Sequence, residues 1–529
     1  MGAIKIGKNA IENLTIGMYE DSKIIYREYI QNAADSIDNG LKEGLFHDED
    51  PPYIDISIDD ASRTVRIKDN AVGIKKSEVH NKLADVADSD KKKGVDKGFR
   101  GIGRLGGLAY CETLHFKTTY YGEAVQTIMT WDADELIRML NDEHIKYSAA
   151  EVLSKVISYD EKPCSANDHF FTVELENIRK ENNELLDVAE VKRYISANAP
   201  VAFSNKFYFR SKIKQYLDKN GLTLPVYRVF VEGEDVFKDY NTNLYESLGN
   251  QKKKFDEIYD LEFKEFKNSQ NELLAWMWFG ISTFQKQIPV RYNDMRGIRL
   301  RKDNIQIGNS GTLNKLFKES RGNYYFIGEL HAVHKELIPN ARRDYFNENK
   351  ARVEFEEEVK GFFHDKLHSL YYDSNKAKNA LRKEVRVVER RALYAQKIKK
   401  GFVNPDEQMH LKSGIKDAER ENKKAKRQLA KLKEKSKNDK VLAKVIDLIE
   451  KKHCDEVGNK TSTTSQVTDQ QSRGEQNKKP KPALLVDKLH RLNREQRKLM
   501  SRVYGVINRV LPPELSESLI KKIQNELNK

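Results

Sequence analysis

The chain has 529 residues, 38% of them hydrophobic and 33% charged, with a formal net charge of +13 and three cysteines. That length exceeds a single core and fits two or three domains, while Cys111, Cys164 and Cys454 are too scattered for a zinc site or a disulfide framework, which fits a reducing cytosol. No apolar run suits a signal peptide or a membrane span, so a soluble cytoplasmic protein is expected, and the positive excess favours polyanionic partners such as nucleic acid.

Residues 1–180 alternate helical and strand patterns, as in a mixed sheet layered with helices. In the first long helix, "REYIQNAADSID" (27–38) sets Glu28, Asn32 and Asp35 in one row, because residues three and four apart are neighbours on a helix. Ile24, Ile25, Tyr29, Ile30 and Ala33 supply apolar packing around it. Carboxylate, amide and carboxylate in line are equipped to face a bound ion or ligand. Strands at 54–58 and 64–68 follow, and "IKDNAVGI" ends the second with Asp69 and a turn containing Gly73. A carboxylate there accepts from an exocyclic amine such as that of adenine, and the glycine turn brings backbone close to a flat ring. In "KGFRGIGRLGG", Gly98, Gly101 and Gly103 form G-x-x-G-x-G around Arg100 and Ile102, so that main-chain N–H groups converge on phosphate oxygens. The Lys-rich stretch before it suits a lid. No strand feeds directly into these glycines and the acid lies on an earlier helix, so the dinucleotide fingerprint does not fit.

"LHFKTTYYGEAVQTIMTW" and "HFFTVELENI" give three further strands. A second mixed region, about 190–350, carries "LLAWMWFGIS", "RGIRLRKDNIQIG" and "NYYFIGELHAV". From 352 to 453 Lys, Arg and Glu alternate with spaced Leu, Val and Ile, a helical or coiled-coil pattern broken near "GFVNPDEQ". Residues 455–482 have almost nothing to bury and read as a disordered linker. A helical segment broken at Pro512 and Pro513 closes the chain. The division expected is 1–185, 186–350, 351–454, 455–482 and 483–529.

E-x-x-x-N-A-x-D, then D-x-x-x-G, then G-x-x-G-x-G, with strands between, resembles the ATPases of the gyrase, heat shock protein 90, histidine kinase and MutL superfamily, abbreviated GHKL. The resemblance covers residues 1 to about 180. It implies an N-terminal Bergerat-type α/β sandwich, a transducer-like α/β middle domain and a helical C-terminal region, an α+β chain overall. It also implies ATP and Mg2+ as ligands. Glu28 would polarise the attacking water, Asn32 would hold magnesium and Asp35 would support the pocket. Asp69 would bind the adenine amine, Gly73 would shape the pocket floor, and Gly98, Arg100, Gly101, Ile102 and Gly103 would wrap the phosphates. Thr172 stands where the family has a threonine near adenine. Histidine kinases lack the hydrolytic glutamate, so Glu28 favours hydrolysis over phosphotransfer. Ala71 departs from the glycine usual in the family.

"NYYFIGELHAVHKELIPNARRDYFNEN" resembles the catalytic loop of the middle domain of heat shock protein 90 chaperones, where an arginine reaches the terminal phosphate. Arg343 is the first choice for that role and Arg342 the second; MutL-like and gyrase-like relatives use a lysine, for which "TFQKQIP" offers Lys286. The basic tail looks more like MORC-type ATPases. The resemblance implies a homodimer. Three outputs are open: a MORC-like or MutL-like machine acting on DNA, supported by the basic tail and net charge; a chaperone-like remodeller of protein clients, supported by the "PNARRDYF" loop; or a regulatory ATPase subunit of a microbial defence system with a separate effector. No membrane partner is expected.

Overall fold

The computed structural model describes residues 6–14, 21–86, 103–144, 146–464 and 483–529. The chain divides into two compact units, Met1–Ser369 and Leu370–Lys529. The expected class holds: an N-terminal α/β domain and a helical C-terminal region.

In the first unit, α1 (Asn9–Leu14) and α2 (Ile24–Glu43) precede β1 (Ile54–Asp59) and β2 (Thr64–Asp69). These strands form a hairpin because the Asp59 carboxylate accepts from the N–H groups of Ala61 and Ser62 at 3.0 and 3.3 Å, and Arg63 takes the left-handed conformation at φ 52°. After α3 (Val79–Ala84) come β3 (Thr113–Thr119), β4 (Val125–Asp132), α4 (Ala133–Asn141), α5 (Ala149–Val156), β5 (Ile157–Pro163) and β6 (Phe170–Glu176). Then α6 (Val188–Asn198) and α7 (Arg210–Asn220) lead to β7 (Val229–Val231) and β8 (Glu234–Asp235).

These eight strands form one sheet in the order β5-β4-β3-β6-β2-β1-β7-β8. All neighbours are antiparallel except β1 and β7, where Ile54 lies opposite Val229. Alternation sends Ile54, Ile56, Val65, Ile67, Leu114, Phe116, Val173 and Leu175 to one face, where they share a core with Ile25, Tyr29 and Ile30 of α2. β7 and β8 come from the stretch expected in the second domain, yet they extend the first sheet. Buried Val229 and Val231 continue its apolar face.

β9 (Asn243–Leu248) and β10 (Gln251–Glu257) form a separate hairpin. The second sheet contains β11 (Asp260–Lys267), β12 (Leu273–Ile281), β13 (Gly297–Lys302), β14 (Ile305–Gln306) and β15 (Ile327–Ala332), in the order β11-β12-β15-β13-β14, and α8 (Lys350–Phe362) follows. Lys238, just after β8, ties the two sheets together. Its fully buried ammonium lies 2.9 Å from the carboxylate of buried Glu329 on β15, which also takes Arg301 Nε of β13 at 2.5 Å.

The second unit carries α9 (His368–Lys400) from Leu370 onward, then α10 (Pro405–Ser436), α11 (Lys440–Thr464), α12 (Arg494–Val510) and α13 (Pro513–Asn528). The break seen in the sequence is the start of α10: the Asn404 side chain accepts from Glu407 N–H at 2.8 Å, and Pro405 occupies the first turn, where a missing N–H costs nothing. α11 runs into the stretch expected as a linker; the rest of that stretch, 465–482, lies outside the described residues. Among the described residues, no helix is long and apolar enough to cross a membrane.

Candidate functional site

α2 is buried on its apolar flank and also along part of its polar row: Glu28 and Asp35 are each 5% exposed, while Asn32 is half-buried. A carboxylate so withdrawn from water needs a compensating charge. For Glu28 that charge comes from another domain layer. Arg343 Nε lies 2.9 Å from Glu28 Oε1, and Arg27 Nη2 lies 3.5 Å from the same oxygen. The other oxygen faces Gly103, where an added Cβ would come within 2.5 Å of Oε2. The last glycine of the G-x-x-G-x-G run thus abuts the carboxylate directly. It opens a 3-10 segment, Gly103–Ala109, that is locked to α2: Tyr29 Oη accepts from Gly107 N–H at 3.0 Å and donates to the Arg104 carbonyl at 3.1 Å. Gly98, Arg100, Gly101 and Ile102 and the expected lid lie outside the described residues.

The loop that delivers Arg343 is tightly built. Pro339 and Phe346 bridge, Asn340 N–H donates to Tyr345 at 2.9 Å, and the Arg343 carbonyl accepts from Gly308 N–H at 2.8 Å. Arg343 itself adopts φ 55°, a left-handed conformation that costs a residue with a Cβ about 1–3 kcal/mol and that clusters at functional sites. Neighbouring Arg342 is exposed. Lys286 is exposed too, pairs with Glu246 on β9 and lies 5.0 Å from the Phe255 ring. The structure therefore brings Arg343 to Glu28 and engages Lys286 elsewhere.

Asp69 ends β2 almost fully buried, and its Oδ1 accepts from Ala71 N–H at 3.1 Å. Gly73 has φ +66°, and a Cβ there would come within 2.0 Å of the Thr119 carbonyl oxygen, so this turn admits glycine alone. Ala71, unusual by the sequence pattern, is wholly buried in the first core. Two residues that the sequence reading passed over hold this turn. Thr118 Oγ1 accepts from Ile74 N–H at 2.9 Å and donates to the Phe170 carbonyl at 3.0 Å. His169 Nδ1 lies 3.0 and 3.2 Å from the carbonyls of Asn70 and Ala71. For Thr118 the signal was present: it continues the inward alternation of Leu114 and Phe116 at the end of a strand.

Thr172 needs correction as an adenine-side residue. On β6 it alternates with inward Val173 and Leu175 and stands in register with Lys68 and Lys117, so it projects from the face of the sheet opposite α2.

A nucleotide fits what remains. Buried Asp69 offers an acceptor, and Asn32 with Asp35 supplies the oxygen donors that magnesium prefers. Comparison with known proteins gives the same reading. The family model described as "Histidine kinase-, DNA gyrase B-, and HSP90-like ATPase" matches residues 22–162. "Chaperone protein HtpG" of Psychrobacter arcticus is 26% identical over 138 residues, covering 23% of this chain and 21% of that protein. HtpG of Alcanivorax borkumensis is 29% identical over 134 residues, covering 22% of each. The chain thus spans about a fifth of the length of the curated relatives it matches. With the eight-stranded sheet, the acidic helix and the glycine contacts around Glu28, these matches make residues 22–162 an ATPase domain of the GHKL superfamily, of the heat-shock-protein-90-like kind.

Proposed function

We propose that this protein is an ATP-driven conformational switch that hydrolyses ATP in the presence of magnesium. The observation that carries this reading is the 2.9 Å contact between Arg343, from the second sheet's domain, and Glu28 of α2. Glu28 takes the proton of a water that attacks the γ-phosphorus; the bond to the β–γ bridging oxygen breaks, and ADP and inorganic phosphate leave. Magnesium, held through Asn32, would neutralise phosphate charge. Asp69 accepts from the adenine amine. Arg343 forks onto a terminal phosphate oxygen in preference to a carboxylate, which frees Glu28 to act as a base and reports γ-phosphate occupancy to the second domain. The testing experiment pairs Glu28→Ala with Asp69→Asn: the first binds ATP without turning it over, and the second fails to bind. Equal turnover in Glu28→Ala and the parent overturns the mechanism.

A specific observation favours a polyanion, such as DNA, as the output partner over a protein client. Residues 370–529 contain 40 Lys and Arg against 21 Asp and Glu, which leaves 54 against 60 for the rest of the chain. The positive excess therefore belongs to the helical unit. Within it, the acids of α10 turn toward α9: Glu407 to Lys397, Glu419 to Arg391 and Glu421 to Arg386. Lys416, Lys423, Arg427 and Lys431 stay exposed, spaced seven, four and four residues apart along one side of α10, and form no ion pair among the described residues. Duplex DNA should bind with steep salt dependence, and the Lys416→Glu/Lys423→Glu/Arg427→Glu variant should bind at least tenfold more weakly with a shallower salt slope. Salt-independent binding, or binding unaffected by this variant, returns the remodelling of a protein client to the front.

A further inference from the structure

One buried side chain of α2 is out of balance with its surroundings. Gln31 is 1% exposed, and among the described residues neither its Nε2 nor its Oε1 meets a hydrogen-bond partner. Around it the buried polar groups are engaged: Arg343 and Arg27 hold Glu28, and Ala71 N–H holds Asp69. A buried amide with both ends unpaired is less stable than an apolar side chain of the same shape, so such a group marks stored strain or a role in another arrangement of the site.

Helix geometry sets its reach. Gln31 follows Glu28 by three residues and Arg27 by four, the two spacings that make side chains neighbours. At about 100° per residue it stands about 60° from Glu28 on the Arg27 flank, while Asn32 stands about 40° away on the other. Cα–Cβ bonds tilt toward the helix N-terminus, so the Gln31 side chain leans over the turn that carries Arg27 and Glu28. What keeps it from the carboxylate is occupancy. Glu28 Oε1 receives Arg343 Nε at 2.9 Å and Arg27 Nη2 at 3.5 Å, and Oε2 faces Gly103.

We propose that Gln31 is the positioning residue of Glu28, taking over the carboxylate when Arg343 leaves it for the terminal phosphate. The amide Nε2 then donates to the Oε1 that Arg343 vacates, and the amide oxygen accepts from Arg27. No covalent bond changes; hydrogen bonds from a neutral group replace an ion pair. The amide suits this task chemically. A guanidinium on a carboxylate opposes the proton that a base must accept, whereas a neutral N–H orients the same carboxylate without adding charge. The unpaired amide also raises the energy of the Arg343-bound arrangement, so its relief favours the exchange. This role presupposes Glu28 as the base; the unpaired amide does not.

The test uses the full chain. Gln31→Met keeps the length and helix preference of the side chain and removes both unpaired groups. Without nucleotide it should melt about 2 °C or more above the parent. At saturating ATP its kcat should fall about tenfold or more, while the calorimetric dissociation constant for ATP stays within about twofold. Gln31→Glu keeps the shape but replaces the donor with a second carboxylate; it should lose kcat to the same extent and melt below the parent. If Gln31→Met fails to fold, Gln31→Leu gives the same reading. A packing role alone moves stability and turnover together, so opposite signs in Gln31→Met separate the two. A double-mutant cycle reads the exchange itself. In an Arg343→Ala background Oε1 is open to Gln31 without ATP, so Gln31→Met should there give no rise in melting temperature or a fall. An unchanged or lowered melting temperature in Gln31→Met itself, a parental kcat, or the same rise in both backgrounds overturns the proposal. Parental turnover in Glu28→Ala overturns the base, while coupled melting shifts at Gln31 and Arg343 still support the exchange.

Discussion

Arg343 Nε and Glu28 Oε1 are 2.9 Å apart, across the join between a strained loop of the second sheet's domain and the first long helix. The pair is a buried ion pair, and its position gives it two consequences. The carboxylate that should accept a proton from water is already engaged by a cation, and the cation that should meet the γ-phosphate is already engaged by a carboxylate. Under the proposed mechanism, ATP binding exchanges these partners before chemistry begins.

Arg343→Ala should lower kcat about 10²-fold to 10³-fold, the range seen when a donor to a developing oxyanion is removed. ATP affinity should change little, because the proposed adenine contact at Asp69 is untouched. Phosphate release at saturating ATP together with calorimetric binding separates the two quantities. Arg342→Ala and Lys286→Ala should each stay within about threefold of the parent, since neither reaches Glu28; a larger loss in Lys286→Ala than in Arg343→Ala would transfer the role to the lysine.

Gly103→Ala and Gly73→Ala should fail in different ways. At Gly103 the new methyl meets the tip of a side chain, Glu28 Oε2 at 2.5 Å, which swings aside. Stability should hold and kcat should drop. At Gly73 the methyl meets backbone, the Thr119 oxygen at 2.0 Å, with φ at +66°, so the turn itself must move. ATP uptake should be lost and the melting temperature should fall. Melting curves and calorimetry on both proteins check the contrast.

Thr118→Val should weaken ATP binding about tenfold or more without touching the nucleotide. It removes the acceptor for Ile74 N–H and the donor to Phe170, leaving buried groups unpaired at about 1–3 kcal/mol and loosening the turn that presents Asp69. Thr118→Ser keeps the hydroxyl and should restore affinity. A structural role unrelated to the turn would lower the melting temperature while leaving the dissociation constant in place.

Much of this site was legible because its chemistry is local. Glu28, Asn32 and Asp35 share a helix face by spacing alone, and Asp69 and Gly73 share one turn. The error at Thr172 came from register: a threonine in the right strand was taken without asking which face its parity gives, and Val173 and Leu175 on the inward face decide the matter. β7 and β8 were assigned to the wrong domain because a parallel pairing between residues 54–56 and 229–231 leaves no local trace. The Lys238 and Glu329 pair joining the two sheets was invisible for the same reason. In sequence both read as surface charge, and only tertiary packing takes them out of water.

The outer face of the sheet supplies a test of stability that does not involve nucleotide. Glu174 on β6 is 2% exposed, and Lys117 and Arg66 hold its two oxygens at 2.5 Å each. Burial pushes the carboxyl up, but the two cations outweigh it and set the pKa at about 2, below the ordinary 4.5. Between those values the unfolded chain binds a proton that the folded chain does not, so stability rises with pH across that window. The contribution is complete above pH 4.5 and is lost as the pH falls toward 2. Partial exposure of Arg66 screens the pair, so about 1–3 kcal/mol is at stake. Glu174→Gln should be destabilised by that amount at pH 7, and its stability should change less steeply than the parent's between pH 4.5 and 2. Urea denaturation at a series of pH values measures both slopes, and parallel curves for the two proteins would show that Lys117 and Arg66 do not govern this carboxylate.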